Sequence, residues 1–117
     1  MRYFVTSPSL RLNWSPAMSH CSENGGRLPE VRTQEDYDKA ILLLEEVNRD
    51  FWLGGSDLAT DGDWLWNSLN DPVNMTQFWI NGQPVNDANR NCIKIRSDGF
   101  YNGNCEFPNS VVCENIP

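Results

Sequence analysis

The four cysteines constrain the fold of this chain more than any other residue type. They stand at positions 21, 92, 105 and 113, with 70, 12 and 7 residues between neighbours. Structural zinc sites usually contain a close C-x₂₋₄-C pair, and its absence disfavours zinc. An even cysteine count in a small aromatic-rich domain instead favours two disulfide bonds and an oxidising compartment. Spacing alone does not choose among the three connectivities that four cysteines allow.

The length and charge of the chain limit the classes of protein to which it can belong. At 117 residues it is expected to form one domain over residues 1–117, with a modest hydrophobic core. The net charge of −7 argues against a nucleic-acid or anionic-membrane partner, because either requires a basic face. No apolar run approaches the roughly 18 residues of a spanning helix. Together with the cysteines, these features predict a secreted or extracellular domain with no membrane span in this chain.

Two glycosylation sequons agree with secretion. Asn74-Met75-Thr76 lies in a polar loop, whereas Asn13-Trp14-Ser15 is followed by a proline where a helix is expected to begin. Asn74 is therefore the predicted glycosylation site.

The first third of the chain contains signals for one strand and one helix. Residues 3–6 are mostly aromatic or β-branched and precede a Ser-Pro-Ser turn, which predicts a strand with a hairpin partner at Leu10 and Leu12. Ser15 before Pro16 predicts a capped helix start, and a glycine pair ends the helix about nine residues later. The expected core face of this helix consists of Trp14, Ala17 and Cys21.

A second helix follows from capping and periodicity. Thr33 is the predicted N-cap, with Asp36 three residues later as in a capping box. The apolar stripe that this helix turns to the core comprises Tyr37, Ala40, Ile41, Leu44 and Val47.

The rest of the chain predicts short strands around a long loop. Strand-like runs cover residues 51–55, 64–66, 92–95 and 111–114, whereas residues 67–91 show almost no periodicity. Helices early and strands late predict an α+β chain with an antiparallel sheet. Ordered loops of this length are usually functional, so we expect a binding site within residues 79–113.

No residue pattern indicates an enzyme. His20 is the only histidine, and no serine or acid pattern accompanies it, so it is expected to be a surface residue. No other nucleophile has an identifiable base.

A series of motifs runs in order along nearly the whole chain: Trp14-x-x-Ala17-x-x-x-Cys21, Gly26-x-Leu28, Trp52-Leu53-Gly54, Asp61-Gly62-x-Trp64-x-Trp66, Trp79-x-x-Gly82-Gln83-Pro84, Cys92, Cys105 and Cys113-Glu114. Together they resemble a C-type lectin-like domain in its short, four-cysteine form. The resemblance implies two helices, small antiparallel sheets, a long irregular loop region and no catalytic residues. It also implies the disulfides Cys21–Cys113 and Cys92–Cys105.

Sugar-binding members of that family coordinate sugar through Ca²⁺ in the long loop, and this chain departs from their ligand pattern. Gln83-Pro84 matches the start of the family triplet, but Val85 stands at its third place and offers no side-chain oxygen. Arg90 stands where an acidic ligand belongs, and Phe100-Tyr101-Asn102 replaces the family's Trp-Asn-Asp. We predict that the sugar-coordinating calcium site is absent, with Asp87 as a substitute ligand if the loop aligns differently.

Two further calcium positions of the family are partly represented. Asp57 and Asp61 match loop acids of an auxiliary site that Asn86 and Asn91 complete, a set suited at best to weak, millimolar Ca²⁺ binding. The alternative is that both aspartates cap turns before Gly62. At the other position, near Glu30, Asp36 and Glu114, we expect Arg32 to form ion pairs in place of a bound ion.

Two functions follow from the resemblance. The first is a glycan-binding module with little or no dependence on calcium, whose candidate ligand-binding residues are Gln83, Asn86, Asn89, Arg90, Tyr101 and Asn102. The second is a protein-binding or subunit-interaction domain in which the loop serves as an interface, because Tyr and Arg are favoured hot-spot residues. A structural role in a larger extracellular protein, and homo- or hetero-dimerisation, stay open from the sequence.

Overall fold

The computed structural model describes residues 3–74 and 76–116. Within them the helices are α1 (Trp14–Glu23) and α2 (Gln34–Val47), and a 3₁₀ turn covers Thr76–Phe78. The strands, in chain order, are β1 (Tyr3–Phe4), β2 (Arg11–Leu12), β3 (Gly26–Arg27), β4 (Phe51–Ser56), β5 (Leu65–Trp66), β6 (Asp71–Pro72), β7 (Cys92–Arg96), β8 (Gly99–Gly103), β9 (Asn109–Ser110) and β10 (Cys113–Asn115). The predicted α+β class is confirmed. No helix in this part of the chain is long and apolar enough to cross a membrane.

The strands form two sheets. A three-stranded antiparallel sheet has the order β1-β10-β3, and a seven-stranded sheet has β4 at its centre. Strand β4 pairs with β5, β7 and β9, and β7 also pairs with β8. All these pairings are antiparallel except β4 with β9, where Phe51 lies opposite Ser110. The predicted antiparallel arrangement therefore holds with one parallel exception.

Three predicted strand assignments need correction. The first strand has no hairpin partner at Leu10 and Leu12, because β1 pairs with β10 and β2 pairs with β9. Only Cys113 and Glu114 of the run 111–114 belong to a strand, which is β10; the two valines before them lie between β9 and β10 and are buried in the core. The predicted loop 67–91 contains the short strand β6, which ends in a proline and pairs with β5 at the sheet edge.

Both helices begin next to polar groups, but only one start is as predicted. The Thr33 side chain accepts a hydrogen bond from Asp36 N at 3.1 Å, which confirms the cap of α2. Helix α1 begins two residues earlier than expected, with Asn13 at the N-cap instead of Ser15 and no side-chain cap bond. There the backbone N–H of Trp14 donates to Cys105 O at 3.0 Å, so a distant chain segment satisfies an end group of the helix.

The core consists of two hydrophobic clusters on either side of β4. Phe51 and Leu53 face the cluster under α2, whereas Trp52 faces the cluster that contains α1. The disulfide between Cys21 and Cys113 lies in the second cluster and joins α1 to β10. The second disulfide joins Cys92 and Cys105, so both implied pairings are confirmed. The long bridge stabilises the fold by on the order of 4 kcal/mol in the chain-entropy model.

The chain just before the 83–90 loop lies against the hairpin formed by β7 and β8. Ile80 N donates to Phe100 O at 2.9 Å, which attaches residues 79–80 to β8. This close approach requires Gly99, which has a φ of +135° and whose added Cβ would lie 2.4 Å from Phe78 O.

Candidate functional site

Asn102 on β8 holds the 83–90 loop from beneath. Its Oδ1 accepts a hydrogen bond from Val85 N at 2.9 Å, while its Nδ2 donates to Val85 O at 2.9 Å and to Arg90 O at 2.8 Å. The residue is only 1% exposed. Although Asn102 was predicted as a ligand-binding residue, the structure places its side chain in the support of the loop, where a ligand on the surface does not reach it.

The exposed rim of this loop carries the polar side chains that a ligand meets first. Asn86, Asn89 and Arg90 are exposed, and Gln83 is half-buried, with its Oε1 accepting from Asn102 N at 3.3 Å. Arg90 pairs with Asp87 across 3.4 Å between Nε and Oδ2, and both side chains are well exposed. An ion pair in this setting contributes little, so Arg90 is available to change partner.

Tyr101 does not belong to this rim, contrary to the sequence prediction. Side chains alternate along a strand, so Tyr101 points away from the face of β8 that holds Phe100 and Asn102. Its hydroxyl donates to Asp50. The structure therefore places Tyr101 and the 83–90 loop in different surface regions.

The residues present do not fit the sugar-coordinating calcium site. Val85 has no side-chain oxygen, and the guanidinium of Arg90 carries a positive charge beside the place where the ion belongs. The amide oxygen of Asn102 already accepts from Val85 N in a buried position. Asp87 does not replace the missing ligands there, because its Oδ1 accepts from Asn89 N and its Oδ2 faces Arg90.

At the auxiliary position, the structure brings carboxylate and amide side chains together around one cavity. Asp57 and Asp61 line a cavity of about 180 Å³ together with Asn86 and Asp87, and Trp64 forms part of its wall. Asp57 is 6% exposed, and its Oδ1 has no hydrogen-bond partner. Burial raises the pKa of this carboxyl above its ordinary value, which a bound cation would counter.

Three details adjust the predicted auxiliary set. Asn91 does not line the cavity, because its Nδ2 donates to Ala88 O at 2.9 Å, while its backbone carbonyl accepts from Asp57 N at 3.0 Å. Asp87 takes a place in the wall that sequence comparison did not assign to it. Asp57 also caps the turn, as the alternative predicted, since its Oδ2 accepts from Gly62 N at 2.9 Å.

Among residues 3–74 and 76–116, no three acidic, cysteine or histidine side chains converge enough to hold a metal ion.

At the family's other calcium position, arginines pair with the carboxylates of Glu30 and Glu114. Arg32 pairs with Glu30 at 2.7 Å, as expected, and forms a bidentate pair with Asp71. Glu114 is fully buried and receives Arg27 Nε at 2.8 Å, a partner that local sequence patterns did not indicate. Burial raises the pKa of Glu114, and the hydrogen bond from Arg27 acts in the opposite direction.

The sequon that contains the predicted glycosylation site lies partly outside the described residues. Asn74 and Thr76 are exposed, and Met75 between them is not described. Modification of Asn74 stays a prediction.

Comparison with known proteins identifies related sequences and folds. A family model described as "Lectin C-type domain" matches residues 10–115. The C-type lectin domain family 4 member M of Nomascus concolor is 26% identical over 114 residues, which cover 96% of this chain and 28% of that protein. The chain thus spans little more than a quarter of the length of the curated relatives that it matches.

Two solved structures show how widely this fold is used. The carbohydrate-recognition domain of the mouse scavenger receptor C-type lectin has a TM-score of 0.83 at 20% identity, covering 98% of this chain and 91% of that one. The herring type II antifreeze protein has a TM-score of 0.74 at 21% identity, covering 92% and 87%. Because proteins with such different names share the fold, the fold does not select the ligand.

Proposed function

Because the chain belongs to the C-type lectin domain family, we propose that it is an extracellular recognition module that binds glycans at the 83–90 loop without a sugar-coordinating calcium ion. The loop rim offers the hydrogen-bonding side chains of Gln83, Asn86, Asn89 and Arg90. A few placed polar groups are sufficient for weak glycan binding. Family membership also agrees with the prediction that the chain is not an enzyme.

The observation that carries this proposal is the support of the loop by Asn102. Its amide makes three hydrogen bonds to the backbone of Val85 and Arg90, so protein groups hold the loop where calcium-dependent relatives employ an ion. A loop that is shaped before the ligand arrives loses less conformational entropy on binding. The rim therefore needs no cation to keep its side chains in place.

A glycan array with and without EDTA tests the proposal. We expect binding that survives chelation and that falls about tenfold in Arg90→Ala, because a charged hydrogen-bond donor is lost. Arg11→Ala is the matched control, since Arg11 is also exposed but lies on β2. Tyr101→Phe should also leave binding unchanged, because Tyr101 lies on the other face of the hairpin.

Binding that disappears in EDTA would contradict the proposal and indicate that calcium coordinates the sugar. No binding to any glycan, together with a specific protein captured from extracellular fluid, would support the alternative of a protein-binding domain.

The auxiliary cavity is proposed as a weak calcium site that stabilises the domain and does not contact the sugar. Asp57, Asp61 and Asn86 would hold the ion, which supplies positive charge opposite the unpaired Asp57 oxygen. Two available carboxylates are typical of affinity in the millimolar extracellular range, and among the described residues no three acidic side chains converge to bind the ion more tightly.

A further inference from the structure

A second polar surface lies on the outer face of the β7–β8 hairpin, next to the C-terminal end of α2. It carries Arg49, Lys94 and Arg96, which we call the basic cluster. These are three of the nine basic residues in a chain whose net charge is −7. The cluster is therefore a local concentration of positive charge on an acidic protein.

The Tyr101 ring organises two of these cations. Lys94 Nζ lies 4.9 Å from the ring centroid, and Arg96 Cζ lies 5.1 Å from it. Lys94 Nζ also lies 5.6 Å from the Trp52 ring. Aromatic faces attract cations without neutralising them, so Arg96 keeps its charge for a ligand. Burial lowers the pKa of Lys94, which therefore holds its proton less firmly than an exposed lysine. Burial and the hydrogen bond to Asp50 raise the pKa of Tyr101, which keeps the phenol protonated at neutral pH.

A cavity of about 250 Å³ lies between the two arginines. Arg49 and Arg96 line it together with Leu44, Asn48, Asp50 and Ser97. Among the described residues, no carboxylate lies within 4.0 Å of the Arg49 guanidinium. Arg96 donates to Asp98 through Nε at 2.9 Å, and no hydrogen bond from its terminal nitrogens is found among the described residues, so these nitrogens still have donors to offer.

The acids in this region do not cancel the positive charge. Asp50 lines the cavity but accepts the Tyr101 hydroxyl, and Asp98 is paired with Arg96. Three cations thus face two carboxylates. The remaining charge and the two guanidinium groups are typical of a site for a small anion, because a guanidinium donates two parallel hydrogen bonds to an oxyanion.

We propose that this cavity binds an oxyanion of an acidic glycan, a sulfate ester or a uronate carboxylate, through Arg49 and Arg96. Asn48 and Ser97 supply neutral polar groups for the sugar around the anion. Lys94 adds positive potential without entering the contact. The site is independent of the 83–90 loop, and it stands whether or not that loop binds a glycan.

A titration followed by NMR tests this site. The probes are a 4-sulfated chondroitin disaccharide, its unsulfated counterpart, which keeps the uronate, and neutral lactose. We expect the acidic disaccharides to shift the backbone amides of Asn48 and Ser97, with lactose giving no shift. Arg49→Gln and Arg96→Gln should each weaken binding about tenfold, and added salt should weaken it further.

Arg11→Gln is the matched control, because Arg11 is also an exposed arginine but lies on β2. It should leave the affinity of the acidic disaccharides unchanged. Equal affinity of both acidic disaccharides would identify the carboxylate as the recognised group, and preference for the first would identify the sulfate. Binding of lactose at the same amides, or loss of binding in Arg11→Gln but not in Arg49→Gln, would overturn the proposal.

Unfolding of a variant is excluded by its ¹H–¹⁵N spectrum. Arg49→Lys gives a second test in a chain that keeps its charge, and it should retain affinity between those of the native chain and Arg49→Gln. An Arg49→Lys variant that binds no better than Arg49→Gln would assign the contact to the two hydrogen bonds of the guanidinium, whereas an Arg49→Gln variant that binds as tightly as the native chain would overturn the proposal.

Discussion

At the scale of single residues, Asn102 decides what the 83–90 loop can do. An aspartate at this position would offer a carboxylate to calcium, whereas the amide donates to two backbone carbonyls and accepts from one N–H. The difference between the two side chains is one nitrogen in place of one oxygen. That nitrogen converts a position suited to an ion into an internal support of the loop.

Asn102→Asp should therefore destabilise the domain in the absence of calcium. The carboxylate cannot donate to Val85 O or Arg90 O, which leaves like-charged oxygens facing each other in a buried position. We expect the free energy of unfolding to fall by about 2–4 kcal/mol, measured by urea denaturation in EDTA. Asn89→Asp is the control at an exposed position and should change it by less than about 0.5 kcal/mol. A similar small change in Asn102→Asp would show that the amide does not support the loop.

Asp57 carries a different prediction, because its Oδ1 is buried without a partner. Asp57→Asn removes a buried negative charge, so the variant should be as stable as the native chain in EDTA, or more stable. It should also lose the stabilisation by Ca²⁺, which for a weak site amounts to about 1.4 kcal/mol at ten times the Kd. Thermal unfolding at rising Ca²⁺ concentration measures both effects. Calcium stabilisation that persists in Asp57→Asn would place the ion elsewhere.

At the scale of elements, the β7–β8 hairpin separates two surfaces. Its alternation sends Asn102 toward the 83–90 loop and Tyr101 toward the basic cluster. The tight turn at Gly99 lets residues 78–80 lie against the hairpin. The same element thus positions the loop on one side and the cations on the other.

Gly99→Ala tests the close approach at this turn. Its Cβ would lie 2.4 Å from Phe78 O, in a backbone conformation that already disfavours alanine. We expect a loss of about 2–3 kcal/mol in the free energy of unfolding, measured by chemical denaturation. Gly25→Ala is the control: it has a positive φ of 81° but no atom within 4 Å of the added Cβ, so only the backbone cost of about 1 kcal/mol applies. Equal losses in both variants would contradict a steric role for Gly99.

At the scale of the whole molecule, an ion-pair network joins segments that lie far apart in the chain. It connects β3 with β10 through Arg27 and Glu114, and the 28–32 segment with β6 through Arg32 and Asp71. Glu30 receives Arg32 and also accepts from Ser68. Removing one member of such a buried network leaves its partner uncompensated, so the network favours a single arrangement of the two sheets.

The network predicts acid sensitivity. The hydrogen bond from Arg32 lowers the pKa of Asp71 below its ordinary value of 3.8. A carboxyl whose pKa is lower in the folded state contributes stability above its unfolded pKa, and that contribution is lost as the pH falls through the folded pKa. The Tm should therefore decrease as the pH falls below about 4. In Asp71→Asn this decrease should be a few degrees smaller.

Arg32→Gln should reduce the acid-dependent part of the Tm in the same way, since it removes the other partner. Thermal unfolding followed between pH 2 and 7 measures both variants. Unchanged acid profiles in both would show that the pair is too solvated to contribute, as is common for partly exposed ion pairs.

The sequence by itself determined the features that depend on residue type or on near neighbours. The Thr33 cap and the apolar stripe of α2 appear in the structure as expected. The disulfide pairing is also present, but it was implied by the family resemblance and not by cysteine spacing. Arg90 and Val85 likewise led, from their chemistry alone, to the prediction that the sugar-coordinating calcium site is absent. Side-chain charge and local hydrogen bonding do not depend on where the chain folds back.

Only the tertiary structure decided which distant residues meet. It placed Tyr101 on the basic cluster, Asp87 in the wall of the Asp57 cavity, and Arg27 against Glu114. It also paired β2 with β9 instead of β1. These contacts join residues that local patterns treat as independent, because strand order and side-chain facing come from the burial of two hydrophobic clusters together. The residue types of the 83–90 loop could thus be read directly from the sequence. The basic cluster forms only when the fold brings separate segments of the chain together.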